Sequence, residues 1–213
     1  MNDLPFRSIR ERMTKLPSLQ RQSFSVSEAE QMTGRSPQSQ RHDRRLGFTE
    51  PLDGGKARYN VFKLAEMLVL QTLVNRGIKV EDAAGVARDA AQQVAWWALS
   101  QPGKIIDPTG KLEAVCQRLD VAPVALIISS PLGGFDYFRY CIMWPNKPWT
   151  FCDEIEKALA DARATPGLLH GNEICSTDAT TAGAMILLDL EAIGQLLASR
   201  TERPFIVGAE RAE

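Results

Sequence analysis

The chain is poor in the residues from which metal centres and disulfide scaffolds are built: 213 residues hold only four cysteines and two histidines. Cys116, Cys141, Cys152 and Cys175 form no CxxC pair and stand apart in sequence from His42 and His170. A zinc site or a disulfide framework is therefore not expected; small buried hydrophobes in a reducing compartment are. A redox pair would need the fold to bring two of the four together. Long apolar runs are also missing. The longest candidates, around 121–128 and 182–190, fall short of the ~18 residues a membrane helix needs. The first 22 residues are basic but lack the apolar stretch of a secretory signal. Phosphate-binding glycine frames are absent too, since Gly133–Gly134 belongs to neither GxxxxGK[ST] nor GxGxxG. His170 is accompanied by no Ser or Cys elbow. These absences lead us to expect a cytoplasmic protein that is not an enzyme and needs no cofactor.

An overall formal charge of −1 hides a division along the chain. Residues 1–100 carry 15 Lys and Arg against 11 Asp and Glu; residues 101–213 carry 10 against 15. A cationic front half is suited to meeting a polyanion. Residues 1–22 read as a basic arm, with Arg7, Arg10, Arg12, Lys15 and Arg21 and few apolar anchors.

Structure is expected from Phe24. Ser25 followed three residues later by Glu28 is the capping-box spacing, and Gly34 is placed to end the helix that follows. Ser36–Pro37 caps a second helix running to Leu46, with Gly47 as its stop. Two short helices across a glycine-containing turn read as a helix-turn-helix. The second is nearly all polar, which suits a helix laid in a DNA groove better than one packed in a core. Gly54–Gly55, between Phe48–Leu52 and Ala57–Tyr59, signals a hairpin, a wing. Asn60 caps a third helix with Val61, Leu64, Met67 and Leu68 facing inward; Gly77 ends it, and an Ala-rich fourth helix runs from about Glu81 towards Leu99.

Taken together, Phe24, Glu28, Thr33–Gly34, Ser36, Arg41, Gly47–Phe48, Gly55, Arg58–Tyr59–Asn60, Leu64, Gly77–Ile78 and Val80–Glu81–Asp82 resemble the MerR-type winged helix-turn-helix family in order and spacing. The resemblance covers about 65 residues. The chain departs from the pattern at Gln40, where the family usually has a core aliphatic, at His42 and Asp43, where it has aromatics, and at Arg44, where it has an acid. It has no match to the cysteine-bearing effector segment of the metal-sensing members.

The resemblance implies double-stranded DNA as the partner. On the second helix, Gln38, Ser39 and Gln40 lead as base readers, although Gln40 can equally make a polar contact inside the domain. Arg41, Arg44 and Arg45 join the DNA face. Lys56 and Arg58 on the wing are placed for phosphate or the minor groove, and Tyr59 for packing or a phosphate hydrogen bond.

After the 23–100 unit, turn signals between Ser100 and Pro108 lead into a second unit, 105–213, read as a small mixed α/β domain. Helices are expected at Lys111–Asp120, Thr150–Ala164 and Leu190–Ser199, the last capped by Asp189. Strands are expected at Val124–Ser129, Tyr137–Trp144, Met185–Leu188 and Pro204–Val207. Aromatics between Phe135 and Trp149 read as sheet core, with a pocket or subunit interface as the alternative. The expectation is an α+β protein: a nucleoid-associated, sequence-specific transcription regulator that binds a palindromic or repeated site as a homodimer. Its second domain would serve dimerisation, effector sensing or contact with RNA polymerase or another protein. A structural DNA-binding module of phage or mobile-element type, for packaging, excision or segregation, is the alternative.

Overall fold

The computed structural model describes residues 18–48, 57–128, 137–143, 149–157 and 185–209. Within them the capping signals of the sequence act where they stand. Helix α1 (Val26–Thr33) opens on a reciprocal box: the Glu28 N–H donates to Ser25 Oγ at 3.3 Å, and the Ser25 N–H donates to the Glu28 carboxylate at 2.7 Å. Gly34, at φ +75°, closes it in the left-handed conformation that glycine adopts without strain. Helix α2 (Pro37–Arg45) starts beside Ser36, whose Oγ accepts from the Ser39 N–H at 3.2 Å. Helix α3 (Val61–Val74) starts from Asn60, whose Oδ1 accepts from both the Phe62 and Lys63 N–H groups. Helix α4 spans Val80–Leu99, and α7 (Leu190–Ser199) is capped by Asp189 as expected.

The remaining elements complete a mixed α+β architecture. Strands β1 (Ser18–Arg21), β4 (Ile105–Ile106) and β8 (Ile206–Ala209) form one sheet in the order β1–β8–β4. Strand β8 runs antiparallel to β1 and parallel to β4. Strands β2 (Phe24–Ser25) and β3 (Arg58–Tyr59) pair antiparallel across the start of α1. Strands β5 (Tyr140–Met143), β6 (Thr150–Cys152) and β7 (Ile186–Asp189) form an antiparallel sheet in the order β6–β5–β7. Helices α5 (Lys111–Leu119) and α6 (Pro123–Ile128) lie between β4 and β5 in the chain.

The centre of the molecule is a helical sandwich in which α4 packs against α3 on one side and α7 on the other. Helix α3 is apolar nearly all round, with Val61, Leu64, Met67, Leu70 and Leu73 at 1% exposure or less. Helix α4 presents alanines, which let α7 come close: a Cβ placed on Gly194 would lie 2.5 Å from Trp97 Cβ and 2.7 Å from the Val94 carbonyl oxygen. Aromatics pin the β5–β6 pair to the same helix. Tyr137 stacks on Trp96, and Trp149 lies over Gly85 and donates its ring N–H to Asp89 at 3.1 Å.

Three expectations are corrected. Residues 18–21, read as the end of the basic arm, form β1, because their backbone pairs with β8 nearly 190 residues away. The apolar run from Val124, read as a strand, is helix α6; a short apolar run does not separate buried strand from buried helix, and Pro123 opens the helix. The stretch from Thr150, read as helix, starts as strand β6 because Phe151 pairs with Cys141. One hydrophobic cluster runs from Phe24 through α3, α4 and α7 to Ile206. The expected arm to residue 17, Gly133–Gly134, His170 and Cys175 lie outside the described residues.

Candidate functional site

Helix α2 has an unusual problem to solve. Every residue of Pro37–Arg45 after the proline is polar, yet one side of the helix must face the rest of the protein. It does so with hydrogen bonds in place of apolar contact. Asp43 is fully buried and receives a two-pronged bond from Arg35, Nε to Oδ2 at 2.5 Å and Nη2 to Oδ1 at 2.7 Å. Arg35, itself 4% exposed, spends a third N–H on Gln71 Oε1 of α3 at 2.9 Å. A bidentate guanidinium–carboxylate pair fixes direction as well as distance. Gln40 completes the inner face: its Nε2 donates to the Arg35 carbonyl at 2.7 Å and to the Val26 carbonyl at 3.1 Å, joining α2 to the start of α1.

That arrangement sorts the residues proposed from the sequence. Gln40 is 1% exposed, so as a base reader it is corrected; it holds the helix instead, and it stands where the resembled family places a core residue. Ser39 is half-buried with its hydroxyl 3.0 Å from that of Ser36, at the helix start. Gln38, Arg41 and Arg45 are exposed and aligned on the outer face. His42, not among the residues expected to meet DNA, stands in the same stripe; the spacing 38, 41, 42, 45 is one face of an α-helix and is visible in the periodicity. No other described residue holds any of these four side chains by a hydrogen bond or ion pair.

On the flank, Tyr59 has its ring buried at 1% exposure while its hydroxyl accepts from Arg44 Nη1. Burial pushes the Tyr59 phenol above its ordinary range, against the opposing pull of Arg44, so the hydroxyl stays protonated. Tyr59 is thus a packing residue that positions Arg44, and its role as an independent DNA contact is corrected. Arg58, its neighbour on β3, is exposed. Lys56 lies outside the described residues, with most of the expected wing.

Helix α1 is held by the C-terminal segment. Arg200 donates to the Met32 carbonyl at 2.7 Å, at the end of α1. Arg203 pairs with Glu28 and lies over the Phe24 ring. Lys104 donates its ammonium to the Thr201 carbonyl, and burial lowers its pKa.

Elsewhere a cleft of about 720 Å³ opens between the end of α4, α5 and α6, with Leu99, Leu112 and Val124 on its walls. The thiol of Cys116, also on its wall, is raised by burial and by Glu113, which suppresses the nucleophilic thiolate. Cys141 is pushed up to about 12, chiefly by burial. Among the described residues no three His, Cys, Asp or Glu side chains gather to hold a metal ion, and no helix is long and apolar enough to cross a membrane. Neither a protein-family model nor a curated protein matches this chain.

Proposed function

We propose that α1 and α2 form a helix-turn-helix of the MerR-like winged type, that α2 enters the major groove of duplex DNA, and that the protein is a sequence-specific transcription regulator. The observation that carries this reading is the sorting of charge on α2. Its single acid, Asp43, is turned inward and neutralised by Arg35, whereas its outward side chains are neutral or cationic and have no partner among the described residues. A helix stabilised in this way keeps hydrogen-bond donors free for a polyanion whose grooves carry acceptors. Arg44, held by Tyr59, and Arg58 on β3 flank the helix, where backbone phosphates run beside a recognition helix.

Helix α2 is nine residues long, about 13 Å. One such helix covers too few base pairs for useful discrimination, so two copies on a palindromic or repeated site belong to the proposal. The test is a fluorescence-anisotropy titration of the full chain with duplex DNA at two salt concentrations. Arg41→Ala with Arg58→Ala is expected to weaken binding and to flatten the salt dependence, by a slope of about one for each phosphate that is no longer neutralised. Affinity unchanged in that double variant, or no duplex binding at low salt, would remove the reading. A reporter driven from the bound promoter then separates a regulator, which changes transcript level, from a module that only marks a site.

A further inference from the structure

We propose that the base pairs met by α2 form a guanine-bearing step: an adenine followed by two guanines within about four base pairs, in the order set by the helix direction and counted on either strand. This rests on the proposed DNA-binding function and adds which bases the site takes. Three observations carry it. First, the outward stripe holds one glutamine, two arginines and a histidine, Gln38, Arg41, Arg45 and His42, with no acid among them. Arginine presents two parallel donors that match guanine O6 and N7, and glutamine's donor and acceptor match adenine N6 and N7. Cytosine is served by a carboxylate acceptor, and the one carboxylate of α2 is buried against Arg35.

Second, these side chains differ from the other cations nearby in being uncommitted. Arg35 is bound to Asp43 and Gln71, and Arg44 to Tyr59, so neither is at liberty to turn to a base edge. Arg41 and Arg45 have no such tie among the described residues.

Third, the helix sets the spacing. At 1.5 Å per residue, Arg41 and Arg45 lie about 6 Å apart along the axis, which corresponds to roughly two base pairs at 3.4 Å each. Gln38 lies about 4.5 Å further towards the helix start, roughly one base pair more. The bonds of Gln40 and the Arg35–Asp43 pair fix the rotation of α2 about its axis, so that all three reach the same groove floor.

The experiment is selection of bound duplexes from a random pool by the full-length protein, followed by sequencing, repeated with Arg41→Ala and Arg45→Ala. Both side chains are exposed, and a thermal melt checks that each variant is folded as the parent is. The expected result is an enriched motif with two guanines about two base pairs apart and an adenine beside one of them. Each arginine variant is expected to lose enrichment at one guanine while keeping the other, with affinity for the parent motif falling about tenfold or more. Retained duplexes whose motif lacks the guanine pair, or variants that enrich the parent motif unchanged, overturn the base assignment while leaving DNA binding in place. A pool from which nothing is retained at low salt overturns both.

Discussion

Helices α2 and α3 are neighbours in the chain and are held to the protein by opposite means. Helix α3 is gripped by apolar side chains on nearly every side, so its position is a sum of many small dispersion and burial terms. Helix α2 has no apolar side chain after its first residue and rests on a handful of directed bonds from Asp43 and Gln40. Packing tolerates local adjustment, because neighbouring side chains share the loss. A directed network does not: a buried charge whose partner is removed has nowhere to turn. The difference teaches that a surface can be kept entirely polar, and therefore free for a polar partner, if the inward side is polar too and its buried charge is paired.

The largest test of that contrast is Asp43→Ala. It strands the Arg35 guanidinium in a site 4% exposed, and a loss of about 3–5 kcal/mol is expected in urea unfolding. Replacing both partners, Arg35→Met with Asp43→Leu, is expected to recover most of that loss, since the pair offsets its own desolvation only in part. A double variant as unstable as the single one would mean that the ion pair is a net source of stability.

Next in size is Gly194→Ala, which probes the packed side. In an isolated helix the change would gain about 1 kcal/mol of propensity. Here the new methyl group meets Trp97 Cβ at 2.5 Å and the Val94 carbonyl at 2.7 Å, and neither can swing aside. Overpacking wins, and a net loss of about 2 kcal/mol is expected by the same measurement. A neutral or stabilised variant would show that α7 slides over α4 freely, contrary to a close-packed seam.

Ser25→Ala removes the cap of α1 and is expected to cost about 1 kcal/mol. The smallest effect is one of pH. Bonds from the Ser25 backbone and side chain, with Arg203 beyond them, hold the Glu28 carboxyl below its ordinary range. Its contribution is therefore present above the unfolded carboxyl's value and is lost as pH falls through the lower, folded value. The urea midpoint of the parent should fall over that acidic window more steeply than that of Glu28→Gln. Parallel curves would place the pH dependence elsewhere.

What the sequence made legible was local. The caps at Ser25, Ser36, Asn60 and Asp189 and the stops at Gly34, Gly47 and Gly77 involve groups a few residues apart, and each stands where residue type alone places it. What escaped depended on distant partners. Strand β1 exists because β8 is there to pair with it, and β6 because β5 is. The inward turn of Asp43 escaped for the same reason: a buried acid is recognisable only once its cation is known to be beside it. Gln40 and Asp43, three residues apart, already lie on one helical face opposite Gln38, Arg41 and Arg45, so periodicity applied to polar residues separates the two roles.

The bonds that Arg200 and Arg203 make to α1 bear on how the protein is made. The ribosome releases α1 and α2 early, long before the segment that clasps α1. Until residues 200–209 emerge, β1 has no strand to pair with and the carbonyl end of α1 has no arginine. A stalled or truncated product therefore carries every residue of the outward stripe without the brace that steadies α1.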